Sequence, residues 1–143
     1  MPKPILLAAC DKVILDTDGL VSLITLIEKL EIKIPSNIDL PVHTSIPMRW
    51  SILAVWSDQK TDEGTYEQMT EVALADGTIA MHSVPEVIQQ GVPSSTGAKM
   101  ISTLTAVPVT NGSIEVRLHY RKVGDPKWIQ AATYPIEIIL VRS

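Results

Sequence analysis

Acidic residues are the side chains of this chain most able to do chemistry, because they recur in the segments between apolar runs. Carboxylate oxygens are the ligands that Ca²⁺ prefers, and a calcium site needs about six to eight of them. If consecutive strands are antiparallel, alternate loops lie at one end of the fold, and several acidic residues then converge there: Asp16, Asp18, Asp58, Asp62, Glu63, Glu86 and Asp125. Turn chemistry alone also explains these residues, so the sequence favours turns over a metal site and we expect no cofactor.

The three tryptophans, Trp50, Trp56 and Trp128, allow two interpretations. An indole face can cover the apolar face of a sugar ring, so exposed tryptophans would form a carbohydrate platform. In a chain with no phenylalanine, they are also the main large side chains for filling a core or an oligomer interface. We favour the core or the interface.

Candidate nucleophiles and zinc ligands occur singly. His43, His82 and His119 have no second histidine or cysteine at ligand spacing, and we expect His119 to be exposed. The segment 94–97 lacks the Gly-x-Ser-x-Gly pattern of a nucleophile elbow. The single Cys10 lies in an apolar run and predicts a small buried side chain rather than a redox group. We therefore expect a protein that is not an enzyme, with an unrecognised hydrolase as the weaker alternative.

The elements that would position these residues are β-strands. In the segment 112–121, Ile114, Val116, Leu118 and Tyr120 alternate with charged and polar residues, which predicts that these four side chains point inward. The preceding Asn111-Gly112 pair predicts a type I′ hairpin with positive φ at Gly112. Eight apolar runs separated by turn residues extend this pattern along the chain. They predict an all-β fold, a two-layer antiparallel β-sandwich of about eight strands, immunoglobulin-like or C2-like, with room for one short helix.

Two segments leave alternatives open. Leu20–Leu30 has apolar residues at helical spacing, but its β-branched residues favour a strand. A single helical turn is compatible with Pro85–Gln90, which Gly91 would end.

The order of features resembles a family of small uncharacterised bacterial and phage-associated proteins that are expected to be β-sandwiches. The features are an apolar strand ending in Cys10-Asp11, an Asp-Gly turn, a strand Leu20–Ile27 leading to Pro35, a third strand, the run Tyr66–Leu74 followed by Ala75-Asp76-Gly77, and the late strand Gly112–Val116. The resemblance implies the fold, and a place in the virion if the chain is phage-encoded. It implies no activity and no catalytic residues.

Length and composition bound the remaining possibilities. A chain of 143 residues fits a single β-sandwich domain spanning 1–143. The net charge of −4 and the scattered basic residues argue against a nucleic-acid partner. Charges interrupt every apolar run before it could span a membrane, and we read the apolar N-terminus as the first strand of a cytoplasmic protein.

The apolar content of 45% is high for a small domain and predicts a surface that meets another protein. Both Met48–Trp56 and the C-terminal run carry apolar residues on two faces, whereas a sandwich buries one face of each sheet. We therefore expect a non-enzymatic interaction or assembly module that forms homo-oligomers. A carbohydrate- or calcium-binding module is the alternative. The candidate interface residues are Trp50, Trp56, Trp128, Ile139 and Val141.

Overall fold

The computed structural model describes residues 3–15, 17–18, 20–37, 39, 44–57, 65–88 and 98–142. Within these ranges the chain forms ten β-strands and no helix, hence none long and apolar enough to cross a membrane. The strands are β1 (Pro4–Leu15), β2 (Val21–Leu26), β3 (Lys29–Ile34), β4 (Ser45–Trp56), β5 (Tyr66–Ala73), β6 (Ile79–His82), β7 (Glu86–Ile88), β8 (Ala98–Pro108), β9 (Gly112–Lys122) and β10 (Ile129–Arg142).

Two sheets pack face to face. The four-stranded sheet has the order β2-β1-β4-β8, and the six-stranded sheet has the order β3-β10-β9-β5-β6, with β7 also pairing with β5. The predicted all-β sandwich is confirmed, with ten described strands instead of about eight. Among the described strand pairs β3 and β10 run parallel, while the others are antiparallel.

The run from Leu20 to Ile34 forms strands, so the helical alternative for Leu20–Leu30 is wrong. It divides at Ile27 and Glu28 into β2 and β3, which belong to different sheets. The Ile27 amide donates to the Ala9 carbonyl at 2.8 Å, and the Glu137 amide donates to the Glu28 carbonyl at 2.9 Å. The chain therefore crosses from one sheet to the other at these two residues. It also reverses direction there, so the run forms two strands instead of one.

The segment considered for a helical turn also contains a strand. Residues Glu86–Ile88 form β7, whose Ile88 lies opposite Tyr66 and is buried. A turn of helix is therefore wrong for these residues, because pairing with β5 buries Ile88 in the core. Gln89 and Gln90 lie outside the described residues.

The core confirms the predicted register of β9. Ile114, Val116 and Leu118 are fully buried, and Tyr120 is 6% exposed. They meet the inner side of β4, a central strand between β1 and β8. Trp56 of β4 contacts Tyr120 edge to face with ring centroids 5.6 Å apart. This contact joins the Trp56 end of the four-stranded sheet to the Tyr120 end of the six-stranded sheet.

The predicted hairpin at Asn111-Gly112 is wrong, although the positive φ of Gly112 is confirmed at 135°. Strands β8 and β9 lie in different sheets, so the pair belongs to a connection between layers. A type I′ turn needs positive φ at both central residues. Thr25 is the one non-glycine residue with positive φ in the described part of the chain, so Asn111 does not have it.

Candidate functional site

The aspartates predicted to converge on a cation do not share one end of the fold. Asp18 follows β1, which runs away from Trp56, whereas Asp125 lies in the turn after β9, next to Lys122 at the Trp56 end. The extra reversal between β2 and β3 is the reason, because it shifts every later loop to the other end. Asp16, Asp58, Asp62 and Glu63 lie outside the described residues. Among the residues described, no three His, Cys, Asp or Glu side chains group closely enough to hold a metal.

Two of the three tryptophans are core residues. Trp50 is 1% exposed and donates its indole N–H to the Ala106 carbonyl at 2.8 Å, while Trp56 is 0% exposed. Neither ring has a surface for a sugar or a partner, so their assignment to an interface is corrected to the core. Trp128 is half-buried, and the guanidinium carbon of Arg121 lies 4.1 Å from the centre of its ring.

The outer face of the six-stranded sheet carries paired charges. Arg121 donates to Glu67 at 2.6 Å, His119 lies 3.0 Å from Glu71, and Arg117 donates to Glu115 at 2.9 Å. The predicted exposure of His119 is wrong, since 14% of its side chain is accessible. Sequence reasoning missed the His119–Glu71 pair because its members are 48 residues apart and meet only through the β5–β9 pairing.

The His119–Glu71 pair has the form of a base and its orienting acid, but its neighbours do not complete a catalytic set. The residue directly opposite His119 is Met69, and the one opposite Glu71 on β9 is Arg117. Neither is a nucleophile. The contacts Glu71–His119 and Glu67–Arg121 cross from β5 to β9, and Glu115–Arg117 runs along β9, each contributing up to about 1 kcal/mol.

Cys10 is not poised for chemistry either. Its side chain is fully buried, and its thiol lies 3.3 Å from the Lys12 carbonyl. Burial raises the pKa of the Cys10 thiol, and the negative charge of Asp11 raises it further. A neutral, inaccessible thiol is neither a nucleophile nor a metal ligand.

The predicted interface residues of the C-terminal strand lie beside charges. Ile139 and Val141 are half-buried on the outer side of β10, opposite Glu31 and Lys33 of the parallel strand β3. Their neighbour Ile138 points into the core. The expected patch of exposed apolar side chains is therefore not found at this strand.

Exposed apolar side chains are concentrated instead on the outer face of the four-stranded sheet. Leu6 lies opposite Val55, Leu26 opposite Cys10, and Ile101 opposite Leu53, and these partners alternate with core residues along their strands. We call this surface the apolar face and define it by four residues with their exposed fractions: Leu6 41%, Ile24 40%, Leu26 51% and Ile101 38%.

Buried side chains fill the middle of the apolar face, and basic residues predominate at its border. Leu53 is fully buried, and Ala8 is 4% exposed. Basic residues outnumber acidic ones at this border in the described part of the chain, where Lys12, Arg49 and Lys99 are found together with Asp11. An apolar centre with a charged border is typical of protein contact surfaces.

A cleft of about 600 Å³ opens at the end of the sandwich opposite Trp56. Its wall combines apolar side chains with hydroxyl and amide groups, among them Leu74, Leu140, Thr78, Thr110 and Asn111. The wall also carries the charged residues Asp76 and Arg142, and its polar groups could orient a small polar molecule.

Comparison with known protein families gives no matching family, and no curated protein matches the chain. Its function therefore has to be inferred from the geometry above.

Proposed function

We propose that the protein is a non-enzymatic interaction module that self-associates through the apolar face of its four-stranded sheet. The observation that supports this is the contrast between the two outer faces. The six-stranded sheet presents paired charges such as Glu67–Arg121, whereas the four-stranded sheet presents Leu6, Ile24, Leu26 and Ile101. Exposed apolar patches of several hundred Å² are uncommon on monomers and mark contact surfaces.

The carbohydrate alternative has less support. A sugar platform needs an accessible indole face, and Trp50 and Trp56 are buried. Trp128 is half-buried and has the Arg121 guanidinium against its ring. The calcium alternative has less support as well, because Asp18 and Asp125 lie at opposite ends of the sandwich.

Substitution on the apolar face tests the proposal. Lysine at Ile24 or Leu26 places a charge in a contact that should be dry, so Ile24→Lys and Leu26→Lys should each lower the mass of the associated species in analytical ultracentrifugation. Leu26 is 51% exposed and lies opposite Cys10, so its substitution costs the fold little, whereas Ile24→Lys also faces Lys12 and should cost roughly 0.5 kcal/mol.

Ile129 provides the matched control, since it is 46% exposed and lies on β10 of the other sheet. Ile129→Lys should leave the mass of the associated species unchanged. The proposal is wrong if Ile24→Lys and Ile129→Lys have the same effect, or if the unmodified chain sediments as a monomer at every concentration.

A further inference from the structure

The described part of the sandwich has five bordering strands, because β7 pairs with β5 alongside β6, and four of the five carry features that discourage pairing with another chain. Strand β2 contains Thr25 with a positive φ of 56°, which distorts its backbone. Strand β3 carries alternating charges at Lys29, Glu31 and Lys33. Strands β6 and β7 have only four and three residues. Distorted, charged or short borders are the means by which β-proteins avoid edge-to-edge association.

Strand β8 has none of these features. It is eleven residues long, its sequence AKMISTLTAVP contains one charge at Lys99, and no residue in it has a positive φ. Among the described strands it pairs only with β4. In a bordering strand, alternate backbone N–H and C=O groups point away from the sheet, so β8 offers a regular row of donors and acceptors.

The part of this row that is regular enough to pair with another strand is 99–105. Beyond it the pairing with β4 is irregular, since the residues from Pro47 to Trp50 oppose only Leu104 to Ala106, and Val107 turns into the core. The midpoint of the regular part is Ser102. Exposure alternates along it, with Ile101, Thr103 and Thr105 accessible on the outer side.

The inner side of β8 borders an open groove of about 340 Å³. Leu104 and Ser102 line it from β8, and Val72 and Met81 line it from β5 and β6 of the other sheet. The two sheets are therefore not closed against each other along this side. A strand added to β8 would find room there for its own inward-pointing side chains.

We propose that β8 pairs antiparallel with β8 of a second copy, centred on Ser102, and that this joins two four-stranded sheets into one of eight strands. The contact uses an edge and goes beyond the face-to-face association proposed above. Around a two-fold axis at Ser102, Lys99 lies opposite Thr105 of the second copy, and Met100 lies opposite Leu104 of the second copy. Lys99, the one charged residue of β8, therefore does not lie opposite Lys99 of the second copy.

Thr105 tests the pairing and its register. Thr105→Lys places a like charge opposite Lys99 twice in each dimer, and Thr105→Glu places an opposite charge there twice. With roughly 0.5 kcal/mol for each cross-strand pair, the dissociation constant should rise about fivefold for Thr105→Lys and fall about fivefold for Thr105→Glu. Thr133, an exposed strand residue of the six-stranded sheet, is the control, and neither substitution there should change the constant.

A covalent trap provides a second measurement. Ser102→Cys brings two thiols to the two-fold axis, where mild oxidation should form a dimer of twice 15.6 kDa on a non-reducing gel. The unmodified chain, whose Cys10 is buried, and Thr133→Cys should stay monomeric on the same gel.

The two proposals fail separately. In an Ile24→Lys background, the opposite effects of the Thr105 substitutions should persist. The edge pairing is wrong if Thr105→Lys and Thr105→Glu shift association in the same direction or not at all, or if folded Ser102→Cys forms no covalent dimer. The apolar face keeps its support in that event if Ile24→Lys still lowers the associated mass.

Discussion

Trp56 and Gln68 are joined by a hydrogen bond inside the core, at the Trp56 end of the sandwich. The Trp56 indole N–H donates to Gln68 Oε1 at 2.6 Å, and the two residues are 0% and 2% exposed. The bond connects β4 of one sheet to β5 of the other. It satisfies two groups that would otherwise be buried without a partner, and it therefore fixes how the sheets sit on each other.

Replacing Gln68 with Leu should destabilise the fold, because the Trp56 N–H loses its acceptor while it stays buried. The expected loss in the free energy of unfolding is about 1–3 kcal/mol, measured by urea denaturation. The matched control removes the donor first. In a Trp56→Phe background, Gln68→Leu should cost less than in the unmodified chain, and equal costs in the two backgrounds would contradict the role of the bond.

Gly112→Val should lower the free energy of unfolding by about 1 kcal/mol or more. A Cβ at Gly112 would meet no atom within 4 Å, so the cost comes from the φ of 135° and not from a steric clash. Ser113→Val, at an exposed neighbouring position of β9, is the control and should have little effect. An unfolding midpoint that Gly112→Val leaves unchanged would show that the backbone relaxes at no cost.

The Cys10 thiol should resist labelling by a thiol reagent in the folded protein and react once urea unfolds the chain. Thr133→Cys, with a second thiol at an exposed position of β10 on the other sheet, should gain one fast-reacting group. Rapid labelling of the unmodified folded chain would contradict the burial of Cys10.

The raised pKa of Cys10 also makes stability depend on pH. Folding favours the protonated thiol, so its contribution is complete below the ordinary thiol value of 9.0 and is lost as pH rises through the higher folded-state pKa. We expect the free energy of unfolding to decline in this alkaline range, and Cys10→Ala to reduce that decline. An identical alkaline decline in Cys10→Ala would assign it to other groups, such as Tyr134, whose pKa is also raised by burial.

The buried and exposed positions of β9 could be predicted from the sequence. A strand with one buried and one exposed face alternates apolar and polar residues. The crossing at Ile27 and Glu28 could not be predicted, since the segment around it contains no Gly, Pro, Asn or Asp that would mark a turn. That one missed reversal misplaced the aspartate loops. The Asn111-Gly112 pair could not be recognised as a connection between sheets either, because it favours positive φ in a hairpin and in such a connection alike.

The sequence predicted an exposed apolar surface, but it did not predict which residues form the apolar face. High apolar content indicated an exposed patch, and both apolar faces of β4 indicated a central strand. Residues such as Leu26 and Ile101 belong to the patch only because β2 and β8 border β1 and β4. Strand order depends on long-range pairing, which the local pattern of residue types does not specify.

Salt should strengthen self-association. Three basic residues, Lys12, Arg49 and Lys99, outnumber Asp11 at the border of the apolar face, so two such faces repel until the charges are screened. Dissociation constants from sedimentation should therefore fall from low to high ionic strength. A rise over the same range would contradict net repulsion between the two faces.

The dependence of mass on concentration in sedimentation equilibrium tests the central claim most directly. The unmodified chain should show a weight-average mass above 15.6 kDa that increases over the micromolar range, with Ile24→Lys below it at every concentration and Ile129→Lys on the same curve as the unmodified chain. A constant mass of 15.6 kDa for the unmodified chain would contradict self-association through the four-stranded sheet.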